Sequence, residues 1–409
     1  MTPEQRMHVA VVFGGPSVEH DVSIITGQQV LAILGERHDV VPIYVAKDGR
    51  WWTGESLLTI QAFASDPPAG ARPIELRLGS PTPLVAPSSG RFKRDEPLRV
   101  DVVVNAIHGT GGEDGSLLGA LELAGLPYVG RGVAASAVAM DKHLAKVVLR
   151  DAGLEVLPHA RFERDAWEQD PDAVQRAARE QGADVIVKPA TLGSSVGVGR
   201  ARTDEELQDA LELAFELDRQ VIVEPFAAGA QEMNVAVLGR PGGEYVVSEV
   251  EQPLGGDDGL SFDDKYLRGG KGAGGKAGGA KGAAATGGTK AAGDGKSSGM
   301  AGQDRLIPAP IEPELRDRLR AAAEQAHRAL RIAGVTRYDF FVLEDGRILL
   351  NEPNTVPGSF AFYLFEHVGI AFPELLERLV GIAVAEAQEE RSTTRYFASA
   401  LIDMHLGRA

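Results

Sequence analysis

Short runs of β-branched residues recur along this chain, and several of them stop abruptly at a glycine-rich loop. Val9 to Phe13 runs into Gly14-Gly15, Val100 to Ile107 into His108-Gly109, and Val185 to Lys188 into Pro189 and the loop Gly193 to Gly199. Val40 to Val45 is another run of the same kind. Runs this short and this apolar are buried strands, and helical spacing resumes beyond the loops. Strands alternating with helices imply an α/β fold with a parallel sheet covered on both faces. Ligands then gather at the carboxyl ends of its strands.

At 409 residues the chain has room for two or three domains, each with its own core. A helix is predicted over Met140 to Arg150, with Asp141 near its start. Another spans Thr203 to Leu217, where Thr203 and Glu206 form a capping box. Val221 to Val223 and Asn234 to Leu238 read as strands. A helix over Pro313 to Ile332 precedes a strand at Tyr338 to Leu343, a turn at Glu344-Asp345-Gly346-Arg347 and a strand at Ile348 to Asn351. The Pro/Ser/Gly-rich stretch from Ser65 to Gly90 reads as surface loop and edge structure. Gly269 to Gly302 is low-complexity Gly/Ala/Lys and cannot bury enough apolar area to offset its ordering, so it is expected to be a flexible insertion. The tail from Arg391 to Ala409 has helical spacing at Phe397, Leu401 and Met404.

The net charge of −16 disfavours nucleic acid or an anionic membrane as a general partner, because both repel an acidic surface. There is no cysteine, so neither disulfide nor thiol chemistry is available. No apolar stretch approaches the roughly 20 residues that span a bilayer. A cytoplasmic protein is expected.

Three groups of residues carry chemistry. Asp339 lies in one predicted strand, and Glu352 and Asn354 share a face at the end of the next. Two carboxylates and an amide oxygen are hard donors suited to a Mg²⁺ that also keeps phosphate oxygens and water. Lys188 ends a strand just before the 193–199 loop, whose N–H groups would form an anion-binding nest, and Lys142 opens a helix. That loop is not a Walker A, since no Gly-Lys-Ser/Thr follows it at the right spacing. The loops Gly14 to Ser23 and His108 to Gly115 are dense in polar groups, yet neither carries a dinucleotide or hydrolase fingerprint. Taken singly, each has an ordinary reading: incidental hairpin acids, solvated surface lysines, a strand-to-helix turn.

Their order decides otherwise. The stretches GGPSVEHDVS (14–23), HGTGGEDG (108–115), GLPYVGRGVAASAVAMDK (125–142), VKPATLGSSVGVG (187–199), FDDKY (262–266), TRYDFF (336–341) and NEPNTVPG (351–358) together resemble the D-alanine–D-alanine ligases of the ATP-grasp superfamily. The resemblance runs from about His8 to Ala385. It implies an N-terminal Rossmann-like domain (1–128), a central ATP-grasp domain (129–223), a C-terminal ATP-grasp domain (224–390) and a tail (391–409). It also implies ATP with two Mg²⁺, or Mn²⁺, as cofactors, and a homodimer. By resemblance, Glu19 would hold the ammonium of the first D-alanine, with His108 nearby. Lys142, Lys188 and the loop around Ser195 would bind the ATP phosphates, Glu224 the adenine end and Glu232 the ribose. Lys265 would touch the γ-phosphate, and Asp339, Glu352 and Asn354 would hold the metal. Arg337 and the Gly358 N–H would meet the oxyanion, and Tyr266, Ser194 and Glu19 would pin a loop over the site.

The chain departs from the family pattern in places. Pro225 stands where many members have lysine, so an adenine contact there would be through backbone. Ser359 to Leu364 replaces the Thr/Ser-rich segment that many members use to grip the second substrate's carboxylate. A relative with D-serine or D-lactate as acceptor is therefore an alternative, although Tyr266 argues against lactate. A non-catalytic nucleotide-binding homologue is another, and it would be expected to lack Lys188 or a metal ligand. Both are present.

Overall fold

The computed structural model describes residues 6–88, 94–130, 132–254, 305–394, 399 and 401–406. Lys265, Tyr266 and the 269–302 stretch lie outside the described residues.

Three sheets are formed by the described residues. The first holds β1 (His8–Gly14), β2 (Asp39–Val45), β3 (Trp51–Thr53), β4 (Arg72–Leu76), β5 (Leu84–Ala86), β6 (Glu96–Pro97) and β7 (Val102–Asn105), in the order β6-β5-β4-β3-β2-β1-β7. Its centre is parallel as expected, with β1 between β2 and β7. The β3 to β6 wing is antiparallel, and β4 and β5 arise within the stretch expected to be surface loop and edge. Strands this short leave no periodicity to read, and their pairing comes from neighbours along the sheet.

The second sheet holds β8 (Ala160–Glu163), β9 (Val185–Pro189), β10 (Gly199–Ala201) and β11 (Gln220–Pro225). The helices Pro171–Arg179 and Asp204–Leu217 contribute to its core. The Thr203/Glu206 capping box forms as predicted.

The third sheet holds β12 (Gln231–Gly239), β13 (Tyr245–Pro253), β14 (Arg305–Leu306), β15 (Gly334–Val342) and β16 (Ile348–Asn354), and it positions the chemistry. Met233, Val235, Val237, Tyr338 and Phe340 face a core shared with the helices Lys142–Asp151 and Pro313–Leu330. By the two-residue repeat of a strand, the other face takes Asn234, Arg337 and Asp339. Ala236, Leu238 and Val335 on that face join a core that contains Phe13 and Leu31 of the first sheet's layer and Leu375 and Leu379 of the helix Phe372–Ser392. That shared core fixes the first sheet against the third. A helix at Leu401–His405 lies within the predicted helical tail. No helix among the described residues is long and apolar enough to cross a membrane.

Candidate active site

Register across the third sheet sets a polar row. Glu251 of β13 stands opposite Asn234 of β12, Asn234 opposite Asp339 of β15, and Asp339 opposite Glu352 of β16. One step along, Arg337 stands opposite Asn354. The residues predicted to hold metal are therefore gathered as expected.

Their partners were not foreseen. Arg337 donates to both oxygens of Asp339, through Nε at 2.7 Å and Nη2 at 2.8 Å, and Asn354 Nδ2 donates to Asp339 Oδ2 at 3.0 Å. Arg337 is 6% exposed. Burial works against its charge, but Asp339 outweighs it and holds the guanidinium protonated.

The N-terminal loops close over this row. Glu19 is buried, and Ser194 Oγ donates to it from the 193–199 loop. Glycines make the approach possible: a Cβ on Gly109 or on Gly193 would lie 2.6 Å from Glu19 Oε2. Ser194 and Ser195 take left-handed φ of 51° and 58°, a region that L residues rarely enter. The nest expected of this loop is partly consumed, because the N–H groups of Val196 and Val198 donate to the carbonyls of Gly193 and Ser195.

Sequence reasoning missed Glu113. Its Oε1 accepts from the Gly109 N–H at 3.0 Å, and its Oε2 accepts from the Thr355 N–H, the Thr355 hydroxyl and the Val356 N–H. It ties the first sheet's loop to the end of β16. Burial, and then the charge of Glu19, push this carboxyl up to about 7 against those donors. Its acid type in HGTGGEDG was visible in the sequence, but its partners Thr355 and Val356 lie more than two hundred positions away.

The cationic side is also built by contact. Asp141 caps the helix Lys142–Asp151, accepting from the His143 and Leu144 N–H groups. Lys142 Nζ donates to the Leu192 carbonyl at 2.5 Å and stands 3.7 Å from Glu352. One turn on, Lys146 is 1% exposed with Nζ 2.8 Å from Glu224 Oε1, and Lys188 Nζ lies 2.7 Å from Glu224 Oε2. Burial alone would raise the Glu224 carboxyl, but the two lysines outweigh it and bring it down to about 2. Lys188 also donates to Asn351 Oδ1 at 3.1 Å, which joins this cluster to β16. Glu232, on β12, contributes its charge to the field at Lys188. Gly358 begins the turn Gly358–Ala361 beyond β16.

A cavity lined by Glu19, Glu113, Lys142, Gly193, Glu352 and Asn354 draws these regions together. A larger groove, at Leu126 to Tyr128 and Arg391 to Thr394, contains none of them, so the chemistry is read from the smaller one.

His108 donates to or accepts from Thr26 Oγ1 at 2.8 Å, and His327 pairs with the Tyr338 hydroxyl at 3.1 Å. Burial holds both imidazoles down at about 4. A neutral imidazole in the folded chain binds fewer protons than the same group unfolded, near 6.5. The stability penalty is thus absent above pH 6.5 and grows as pH falls towards 4, by about 3 kcal/mol for each group. Urea midpoints between pH 7.5 and 4.5 are expected to fall less steeply for His327→Gln than for the wild type. Equal slopes would show that His327 does not drive the acid loss.

An α/β scaffold that surrounds paired carboxylates with buried lysines, under a glycine-lined carboxylate clamp, defines an ATP-dependent ligase of the ATP-grasp fold. The D-ala D-ala ligase N-terminus family matches residues 8–131, and the D-ala D-ala ligase C-terminus family matches 148–275 and 294–381. A D-alanine–D-alanine ligase from Bacillus pumilus is 33% identical over 402 residues, covering 96% of this chain and 100% of that protein. Among solved structures, the D-alanine–D-alanine ligase from Coxiella burnetii superposes with a TM-score of 0.74 at 25% identity, covering 99% of this chain and 100% of that one. A D-Ala:D-Ser ligase from Enterococcus faecalis does so at 0.72 and 28%, covering 93% and 100%. The chain belongs to the D-alanine–D-alanine ligase family.

Proposed function

We propose that this enzyme activates one D-alanine as its acyl phosphate with ATP and joins it to a second D-alanine, making the dipeptide used in peptidoglycan synthesis. The observation that carries the reading is the common cavity: Glu19, Lys142, Glu352 and Asn354 come from three distant regions yet line one space. A carboxylate is a poor electrophile, so phosphoryl transfer comes first, and positioning with charge neutralisation is what the protein must supply. Lys142 and Lys188 neutralise the phosphates, with Ser195 beside them. Glu224 takes the adenine end and Glu232 the ribose. Glu19, steadied by Ser194, holds the first ammonium near His108. Arg337 and the Gly358 N–H face the developing oxyanion, where a cation beside a backbone donor is most effective. Lys265 and Tyr266 complete the phosphate side and the loop.

Among the described residues no three His, Cys, Asp or Glu side chains gather around one point. Asp339, Glu352 and Asn354 instead offer a mixed set of hard oxygens, which fits Mg²⁺, with Mn²⁺ as a substitute, sharing its shell with phosphate and water. When bound, the two ions would supply charge neutralisation across the transferred phosphoryl group. We further propose a cytoplasmic homodimer with domains at 1–128, 129–223 and 224–390. Strand ranges support the first division, since the first sheet ends at Asn105 and the second begins at Ala160, while the last strand of the second sheet runs to Pro225, two residues past the second division, and the third sheet begins at Gln231.

The test is phosphate release from ATP with each D-amino and D-hydroxy acid, with mass analysis of the product. D-alanyl-D-alanine is expected. A mixed product with D-serine or D-lactate would replace the acceptor assignment, and no release with any of them would leave only a nucleotide-binding homologue.

A further inference from the structure

Glu113 lines the cavity beside Glu19, Asn354 and Thr355, yet the reaction proposed above gives it no part. Its two oxygens serve different walls of that cavity. On one wall, Oε1 accepts from the Gly109 N–H at 3.0 Å. Gly109 in turn presses on the donor site, since a Cβ there would lie 2.6 Å from both Glu19 Oε2 and Ser17 Oγ. On the other wall, Oε2 accepts from the Thr355 N–H at 3.1 Å, the Thr355 hydroxyl at 3.1 Å and the Val356 N–H at 3.0 Å. These two residues follow Asn354 and stand just before Pro357 and Gly358.

Both ends of this link are held firmly. The Glu113 N–H closes a turn onto the Gly109 carbonyl at 2.9 Å. Asn105, at the end of β7, donates through Nδ2 to the Gly112 carbonyl at 2.9 Å and accepts from the Ile107 N–H at 3.0 Å. A Cβ on Gly112 would lie 2.2 Å from the Ile107 carbonyl oxygen, so the loop sits directly on the strand end and only glycine fits. At the far end, Thr355 and Val356 are buried. Pro357 has a φ of −65°, locked by its ring, and its carbonyl accepts from the Phe360 N–H at 2.7 Å. A shift at Val356 therefore passes on to Gly358.

We propose that Glu113 is a positioning residue that sets the span between the donor's ammonium and its reacting carboxyl, and so selects an α-amino acid. This rests on the ligase reading above. An α-amino acid carries both groups on one carbon, so the site must hold them at one separation. Glu19 follows β1 of the first sheet, whereas Asn354 and Gly358 belong to the end of the third. Glu113 is bonded to both walls at once, and a charged acceptor makes stronger bonds to N–H groups than a neutral one. A misplacement of about 1 Å at the reacting atoms can cost about a hundredfold in rate. Glu113 acts through Thr355, Val356 and Gly109 rather than on the substrate itself.

The experiment measures phosphate release by the full chain with D-alanine, fitted with separate donor and acceptor constants, for Glu113→Gln, Glu113→Asp and Thr355→Val. The inhibition constant of β-alanine against the donor is measured beside it, because that molecule's ammonium lies one carbon further from its carboxyl. The amide of Glu113→Gln turns its oxygen to one wall only and sets N–H against N–H at the other. Its donor constant is expected to rise about ten- to a hundredfold, with the ATP KM and acceptor constant within about threefold of wild type. The preference for D-alanine over β-alanine should fall at least about tenfold. Glu113→Asp keeps the charge but is one methylene short of spanning both walls, so it should not restore the donor constant. Thr355→Val removes one bond of the four and should show a smaller change in the same direction. Should the Glu113 variants fail to fold, Thr355→Val carries the test. Donor constants and β-alanine preference unchanged in folded variants overturn the proposal, as does a parallel change in all constants with a lowered melting temperature. Wild-type protein that releases no phosphate with D-alanine overturns the ligase reading instead, a failure distinct from unaffected variants of an active enzyme.

Discussion

Arg337→Met is expected to lower kcat by about 10²–10³-fold while leaving the ATP KM near wild type, the cost found when one oxyanion donor is removed. The same substitution strips Asp339 of its bidentate partner. Asp339 is 3% exposed and accepts from Arg337 at 2.7 Å and 2.8 Å. Breaking a buried pair by removing one member costs about 3–5 kcal/mol, because the remaining charge is left uncompensated. Two losses are therefore expected, and they separate. Arg337→Lys keeps a charge near Asp339 but not the planar fork, so it should regain part of the urea midpoint and little of the rate. Steady-state kinetics beside urea unfolding decide the matter. A kcat within tenfold of wild type in a folded Arg337→Met protein would remove Arg337 from the oxyanion.

Lys146→Met is expected to destabilise the chain by about 3 kcal/mol and to raise the ATP KM at least about tenfold. Nothing in the motif stretches singles out this lysine. It is 1% exposed, 2.8 Å from Glu224 and 3.1 Å from the Asn351 carbonyl. With Lys146 gone, Glu224 keeps only Lys188, and the Lys188 ammonium is drawn wholly onto it and away from an incoming phosphate. Glu224 sits at about 2 in the folded chain, so its contribution is present above the ordinary carboxylate range and is lost as pH falls towards 2. A double-mutant cycle with Glu224→Gln should give a coupling of more than about 1 kcal/mol. Additive losses would mean that the two residues act independently.

Much of the scaffold was legible because it is written in local pattern. The buried strands β1, β2, β7, β9 and β11 are short apolar runs, and the Thr203/Glu206 cap is a four-residue signal. The Asp339–Glu352 pairing followed from two strands joined by an Asp-Gly turn. The antiparallel wing was not legible, because β4 and β5 lie in Pro/Ser-rich sequence where composition points to loop. Nor was Glu113, whose type was visible but whose hydrogen bonds to Thr355 and Val356 join residues far apart in the chain.

The sequence by itself determined the inventory: which carboxylates, lysines and glycines exist, which strands carry them, and which family their order belongs to. Only the tertiary structure decided how the charges pair, with Arg337 on Asp339, two lysines on Glu224, and Arg305 with Tyr363 on Glu251. The reason is physical. Strand and helix periods act over a few residues, whereas the stability of a buried charge depends on which opposite charge the folded chain brings within about 3 Å, and no local pattern encodes that distance.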